Sequence, residues 1–469
     1  MAIVPCHVQR LVHICLAIYV AISVLFTTRT ILSSSPRRSS PTLVPPHPPE
    51  PNHTSGKQII LDSEVLGSHS IEESIILSKA FPYLMKPSQI TPYYYQASGS
   101  FDREDITITS LVTSNRFEAL KRLVERYQGP ISVTFHVNNA TENVSQLLDS
   151  LHHLYTTTAN MATYVDIHLV LDTFERQFNT WRNVARLFAR TDYVMMLDVD
   201  FYLCTSGFRD ILRKTIGNSG ESEVGEAFRN GMTAFVIPAF EYVEYDEGRD
   251  YKAFPKTKQD LVQLGESRKV RMFHEIWPPG HNSTDYDRFH AARPGEIYKV
   301  TQFQPYYEPY TIFRKDGPPW CDERFIGYGG NKAACLFEMY LSGMSFYVLP
   351  DDFIIHQNHL YEESVRKNER RSNRKIYAEF KEEVCLRYLR NFHELGILRT
   401  SRARNAIDEC GKMKGFSRLI SQVRIDFTEF LPKMLTIYSC YTLKYLYRFV
   451  LTESTDVTSF LPILLQIPR

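Results

Sequence analysis

The chain has 469 residues, 43% hydrophobic, 13% aromatic and 23% charged, with a formal net charge of +1. That balance fits a globular protein with a substantial core. It gives neither the basic footprint of a nucleic-acid binder nor the acidic bias of a disordered tail, so no nucleic-acid partner is expected.

A short tail, residues 1–10, precedes an uncharged run from Leu11 to Thr28 that would span about 27 Å as a helix. The run predicts a transmembrane signal anchor over residues 11–28, with a cleaved signal peptide as the alternative. Residues 29–60, dense in Ser and Pro at their start, read as a stalk. Anchor and stalk together predict a single-pass type II protein that meets the membrane through one N-terminal helix. The flanking charges, Arg10 before the run and Arg29, Arg37 and Arg38 after it, run against the positive-inside pattern. Sequons at Asn52, Asn139, Asn143 and Asn282 all lie beyond the anchor and are compatible with a lumenal body. Cys204, Cys321, Cys335, Cys385, Cys410 and Cys440 also lie there and could form disulfides in an oxidising lumen. No C-x-x-C pair is present to build a zinc knuckle.

The body reads as alternating strands and helices. Ile106 to Thr113 is rich in β-branched residues, and Phe117, Leu120, Leu123 and Val124 repeat at helical spacing within Arg116 to Tyr127. Gly129-Pro130 stops that helix. Ile131 to Val137 and Tyr164 to Leu171 follow as strands, with helices over Glu142 to Tyr155 and Thr180 to Arg190. The pattern predicts an α/β fold with a mostly parallel central sheet and flanking helices. A fourth strand, Tyr193 to Leu197, ends in Asp198-Val199-Asp200. In an extended strand the two carboxylates would share one face, at the strand end where mononucleotide folds bind ligands. Adjacent carboxylates repel and need a neutraliser, and a hard divalent cation that also holds a nucleotide diphosphate fits that need.

A second copy, Asp285-Tyr286-Asp287, follows no apolar strand and reads as a solvated loop. The turn after the first strand, Thr113-Ser114-Asn115, lacks G-x-G-x-x-G, and no P-loop occurs, so phosphate binding falls to the metal. Further on, Thr233 to Phe240 predicts a strand, Phe254 to Leu264 a helix, and Pro278 to Pro294 a loop. Tyr306 to His359 forms a block containing Glu308-Pro309-Tyr310, Cys321 to Phe325, Gly327 to Lys332 and Phe353 to His356. Its glycines either let backbone approach a ligand or make an ordinary turn. Glu362 to Glu383 predicts a charged, solvated helix. Residues 401–469 are a C-terminal extension with apolar segments and no recognisable site.

Several of these segments occur in one order: Asn179 to Arg186, Tyr193 to Leu203, Val236 to Glu241, Phe254-Pro255-Lys256, Glu308-Pro309-Tyr310, Phe325 to Lys332 and Ile355-His356. Together, over roughly residues 105 to 385, they resemble glycosyltransferase family 49. The resemblance implies a GT-A nucleotide-sugar fold over residues 90–400 and a lumenal catalytic domain on a Golgi membrane. It also implies Mn²⁺-dependent inverting transfer from a UDP-sugar, UDP-glucuronic acid in known animal members, to a glycan or glycoprotein acceptor. Matched residue by residue, Asp198, Asp200 and His356 are the implied metal ligands. Arg182 and Asn183 match an R-N pair, and they join Asp198 and Asn331 as implied donor-binding residues. One departure stands out: the family pattern G-F-G-W-N-K has an aromatic residue where this chain has Gly330, on the loop facing the acceptor.

Inverting transfer needs a base for the acceptor hydroxyl opposite the cation that stabilises the leaving diphosphate. Where many such enzymes carry a carboxylate after a G-G turn, this chain has Asn331-Lys332. Asp322 matches the family and is the expected base, with its neighbour Glu323 also near and Glu308 as the runner-up. Two other classes remain open: a lumenal protein that binds UDP-sugar or glycan without turnover, and a metal-dependent phosphohydrolase, whose sites usually gather more His and Asp.

Overall fold

The computed structural model of the chain describes residues 88–416, apart from 141, 175, 219–221, 360–362 and 415. The expected tail, anchor and stalk lie outside the described residues, as does most of the extension. Among the described residues no helix is long and apolar enough to cross a membrane.

The strands in chain order are β1 (Gln89–Tyr95), β2 (Ile106–Val112), β3 (Ile131–Asn138), β4 (Val165–Asp172), β5 (Tyr193–Met196), β6 (Phe201–Leu203) and β7 (Thr233–Ile237). They continue with β8 (Ala239–Tyr242), β9 (Val270–Met272), β10 (Tyr298–Lys299), β11 (Tyr310–Arg314), β12 (Ser345–Val348) and β13 (Ile354–His356). A 9-stranded sheet runs β1-β4-β3-β2-β5-β11-β7-β12-β10, and a 4-stranded sheet runs β6-β13-β8-β9. The block β4-β3-β2-β5 is parallel, as the alternating pattern predicts. The sheet becomes mixed at β11, which runs antiparallel to both β5 and β7.

Helical spacing in the sequence becomes a buried stripe. Helix Phe117–Tyr127 buries Leu120, Leu123, Val124 and Tyr127 against the sheet, each such apolar side chain contributing about 1.5–3 kcal/mol. Helix Phe178–Leu187 buries Trp181, Val184 and Ala185 while turning Asn179, Arg182 and Asn183 toward the segment 321–331.

Among the described residues the chain crosses from the large sheet to the small one at three places, after β5, β7 and β12, and the first two break strands that the sequence predicts as single. The expected single strand Thr233 to Phe240 breaks at Pro238, which has no N–H for a ladder. Its carbonyl instead accepts from the Ile354 N–H at 3.0 Å, where β13 begins. The expected strand through the aspartates breaks likewise: β5 stops at Met196, and residues 198–201 make a turn in which Phe201 N–H donates to the Asp198 carbonyl at 3.2 Å. Asp198 and Asp200 therefore do not share a strand face. The turn sends them to different partners.

Three other expectations change. Within Pro278 to Pro294 the chain forms 3-10 turns Pro278–Gly280 and Asn282–Thr284 and then a helix, Tyr286–Ala291. Asp285 caps that helix, its carboxylate accepting from Arg288 N–H at 3.1 Å, so the second D-x-D is a capping device rather than a solvated loop. The charged helix extends over Glu363–Glu394 and is not wholly solvated, because Tyr377, Phe380 and Val384 are fully buried against the core. Two disulfides form, Cys321–Cys335 and Cys385–Cys410, while Cys204 is a buried thiol. The second ties helix Arg404–Gly411 to the charged helix, so residues just past 400 belong with the body. Cys440 lies outside the described residues.

Candidate active site

The turn between β5 and β6 is the centre of two adjoining clusters. In the first, the Asp198 carboxylate accepts from Lys332 Nζ at 2.9 Å, from the Tyr310 hydroxyl at 2.9 Å and from Arg182 at 3.4 Å. Lys332 Nζ also lies 3.8 Å from the centre of the Tyr310 ring, a cation–π contact. Burial pushes the Asp198 carboxyl up, but the charges of Lys332 and Arg182 and the bonds from Lys332 and Tyr310 outweigh it and hold the group well below the usual carboxylate range. Arg182 is held in turn by Asn331 Oδ1 at 2.8 Å and Asn179 Oδ1 at 3.0 Å. Asn331 reaches back to the Gly327 carbonyl at 2.8 Å.

The second cluster surrounds Asp200. Its carboxylate lies 2.8 Å from Arg116 Nε and 3.1 Å from His359 Nε2. Burial raises its pKa, but the hydrogen bond and charge of His359, then the charge of Arg116, leave it lowered. His356, at the end of β13, is brought opposite Phe201 by the β6–β13 pairing. One ligand atom each from Asp200, His356 and His359 lies within 4.8 Å of the others. Burial lowers His356 to about 4, so its imidazole is neutral near pH 7, the form that ligates metals. One carboxylate and two imidazoles at this separation could hold a divalent cation. Among the expected ligands, the structure gathers Asp200 and His356 with His359, while Asp198 is engaged by Lys332, Arg182 and Tyr310.

The two expected bases are placed differently. The Asp322 carboxylate accepts from Arg324 N–H at 3.0 Å and from Arg324 Nε at 2.8 Å, and Arg324 also pairs with Glu383. Glu308 instead faces the first cluster. Burial raises its pKa, opposed by the nearby charges of Lys332 and Arg182 and reinforced by Asp198. Arg324 thus engages Asp322, whereas Glu308 lies within the field of Lys332 and Arg182. Glu323 accepts from Asn183 at 3.0 Å. Asn183 is buried and spends its amide on the Cys321 backbone, at 2.9 and 3.0 Å, and on Glu323. It positions the segment 321–323.

The glycine loop is shaped by the charged helix. Gly327 and Gly330 have φ of 76° and 74°, the left-handed region that favours glycine. A Cβ at Gly327 would fall 2.2 Å from Glu369 Cδ, so this glycine answers to the helix behind it. At Gly330 the ring of Tyr377 lies 3.5 Å from where a Cβ would stand, bringing an aromatic side chain beside the position where the family pattern has its own. The Cys321–Cys335 bond pins this loop to helix Asn331–Leu341, which carries Lys332.

Sequence reasoning missed His359, Lys332 and Tyr310. His359 follows His356 in an H-x-x-H spacing, a signal that was there to be read. Lys332 and Tyr310 could not be paired with Asp198 from sequence, being 134 and 112 residues away.

The family described as "Glycosyl-transferase for dystroglycan" matches residues 105–177 and 172–389. Xylosyl- and glucuronyltransferase LARGE2s of Danio rerio is 30% identical over 291 residues, covering 61% of this chain and 35% of that protein. LARGE2 of Mus musculus is 34% identical over 260 residues, 54% of this chain and 34% of that protein. LARGE1 of Homo sapiens is 28% identical over 313 residues, 63% of this chain and 37% of that protein. The chain thus spans about a third of the length of the curated relatives it matches. Among solved structures, GalNAc-T7 with UDP, GalNAc and Mn²⁺ overlaps with a TM-score of 0.31 at 12% identity, covering 55% of this chain and 44% of that one. The mannosyltransferase Ktr4p from S. cerevisiae overlaps with a TM-score of 0.18 at 12% identity, covering 43% of this chain and 57% of that one. Both overlaps are too slight to build on. The family match, spanning more than half of the sequence, carries the assignment: the chain belongs to glycosyltransferase family 49.

Proposed function

We propose that this glycosyltransferase performs a metal-dependent, inverting transfer from a UDP-sugar, UDP-glucuronic acid by kinship, to a hydroxyl of a glycan acceptor. The observation that carries the reading is the adjacency, on one turn, of a ligand cluster and a cationic cluster that faces a carboxylate. A divalent cation, Mn²⁺ in this reading, held by Asp200, His356 and His359 would offset the charge of the departing diphosphate. Asp198 holds Lys332 and Arg182 in place beside it, so that two cationic heads border the donor. Asn331 orients Arg182. Glu308 takes the proton of the acceptor hydroxyl as its oxygen bonds to the anomeric carbon and the bond from that carbon to the diphosphate breaks. A raised pKa suits this role, because a base that holds its proton more tightly removes it more effectively once ionised.

The proposed residence is a Golgi membrane, with the anchor of residues 11–28 and the catalytic domain lumenal. The two disulfides support an oxidising compartment. The test incubates the chain with Mn²⁺, a panel of UDP-sugars and mixed glycan acceptors, and follows UDP release. Acceptor-stimulated release is expected. Its absence across the panel would favour a binding protein with the same fold.

A further inference from the structure

The acceptor side of Glu308 carries a feature that the transfer chemistry does not use. Ile276 and Trp277 are 84% and 51% exposed, side by side on a loop, although most large apolar side chains of the body are covered. Exposed apolar pairs of this kind mark binding surfaces when they stand beside a site. This one does: Glu308 N–H donates to the Gly280 carbonyl at 2.7 Å, three residues beyond Trp277.

The loop is tied down from several directions. Trp277 N–H donates to the His274 carbonyl at 2.7 Å, and Gly280 N–H to the Trp277 carbonyl at 3.1 Å. Pro278 opens the following 3-10 turn and restricts the backbone further. Ser283 Oγ accepts from Gln304 N–H at 3.1 Å, and the Thr284 hydroxyl pairs with that of Tyr307 at 2.8 Å. The segment that follows Trp277 is thereby sewn to the segment that carries Glu308. Its ring also meets Tyr306 edge-on, with centroids 6.0 Å apart, and Tyr306 packs on Tyr377 at 4.6 Å. A line of aromatic rings therefore runs from the exposed rim to Gly330 and the Asn331-Lys332 pair.

We propose that Trp277, with Tyr306 beside it, is the acceptor-sugar platform: its exposed face stacks against the apolar C–H face of a pyranose whose hydroxyl points at Glu308. A flat, rigid, amphipathic ring suits this ligand class, because a pyranose presents C–H groups on its faces and hydroxyls on its rim. Fixing the ring beforehand removes an ordering cost from each binding event. The proposal rests on the transferase reading for the role of the sugar, but not for its binding.

The test is saturation-transfer NMR of the full chain with methyl β-D-xylopyranoside and methyl β-D-glucopyranoside, alongside the UDP-release assay. We expect saturation of the sugar ring C–H protons in the wild type, a loss of at least fivefold in Trp277→Ala, and retention of at least half the signal in Trp277→Phe. In the release assay Trp277→Ala should raise the acceptor KM about tenfold and leave the donor KM within twofold. Equal saturation in wild type and Trp277→Ala, or none in the wild type, overturns the platform. A protein-docking role for the patch is the outcome if Trp277→Ala abolishes self-association in sedimentation while leaving sugar saturation unchanged. Sugar saturation lost in Trp277→Ala, with no UDP release from any form, sinks the transferase reading and leaves the platform standing.

Discussion

The first two of the chain's three passages from its large sheet to its small one lie at residues 197–200 and at Pro238, and these two crossings solve the same geometric problem by different means. At Pro238 the break is made by a residue that cannot donate to a ladder, and the neighbours β7 and β8 are mostly buried and apolar, with Glu241 paired to Arg271 as the charged exception. At residues 197–200 the break is a turn carrying two carboxylates, each of which needs cations or donors to be tolerated. Lys332 and Arg182 serve Asp198, and Arg116 and His359 serve Asp200. The difference shows that a sheet crossing is only a place. What makes one of them a candidate site is the set of partners that its polar residues must recruit.

The largest expected effect tests whether chemistry is confined to the first crossing and its surroundings. Glu308→Gln should lower kcat by about 10³-fold, within the range for a general base, and leave UDP affinity within twofold. Asp322→Asn, whose parent carboxylate is bound to Arg324, should keep most of the activity. Activity in the wild type should rise with pH to a plateau above the ordinary carboxylate range, because burial raises the Glu308 pKa. The reverse ranking of the two mutants would restore Asp322 as the base.

A middle-sized effect concerns the support beneath the first crossing. Glu323, bonded to Asn183 on the helix that leads into β5, is pushed by burial up to about 8 from 4.5. The folded state therefore keeps a proton that the unfolded chain releases. Stability from this group is full below about pH 4.5 and lost as pH rises through about 8. Glu338 and Asp352, each raised by burial to about 7, act in the same direction. Buried His168, His274 and His356, whose pKa values burial lowers, act in the opposite sense between about pH 5 and 6.5, so the test is the difference between variants: the Tm of Glu323→Gln relative to wild type should rise by roughly 5 °C from about pH 5 to about pH 8. A difference that stays flat or falls over this interval would contradict the burial account.

The smallest effect is expected at the second crossing. Pro238→Ala should change stability by no more than about 1 kcal/mol and activity by less than twofold. A loss of activity comparable to that of Glu308→Gln would erase the contrast between the crossings.

The sequence made much of the scaffold legible, because βα alternation and helical spacing are local signals. The parallel block and the helices beside it follow from residues such as Leu120, Leu123 and Val124, whose spacing alone says which face is buried. The turn at the aspartates was not legible. A run of apolar residues ending in Asp gives no sign that β5 stops at Met196, since the stop is set by pairing of β6 with β13 more than 150 residues later. The same pairing brings His356, and with it His359 of the H-x-x-H spacing, to Asp200. Asp285 illustrates the converse: its capping role depends only on the next few residues, a local signal that the surrounding polar stretch masks. In sequence Asp322 ranks ahead of Glu308 only by its match to the family, and no local signal foretells that Arg324 pairs with Asp322 while Lys332 and Arg182 stand near Glu308.

The division of labour on the turn is the central claim, and Mn²⁺ titration followed by electron paramagnetic resonance tests it without requiring turnover. His359→Ala and Asp200→Asn should each weaken Mn²⁺ binding by at least tenfold, whereas Asp198→Asn, which removes the partner of Lys332, should bind Mn²⁺ within about threefold of wild type. Unchanged affinity in His359→Ala together with lost binding in Asp198→Asn would contradict the account and move the ion to the other side of the turn.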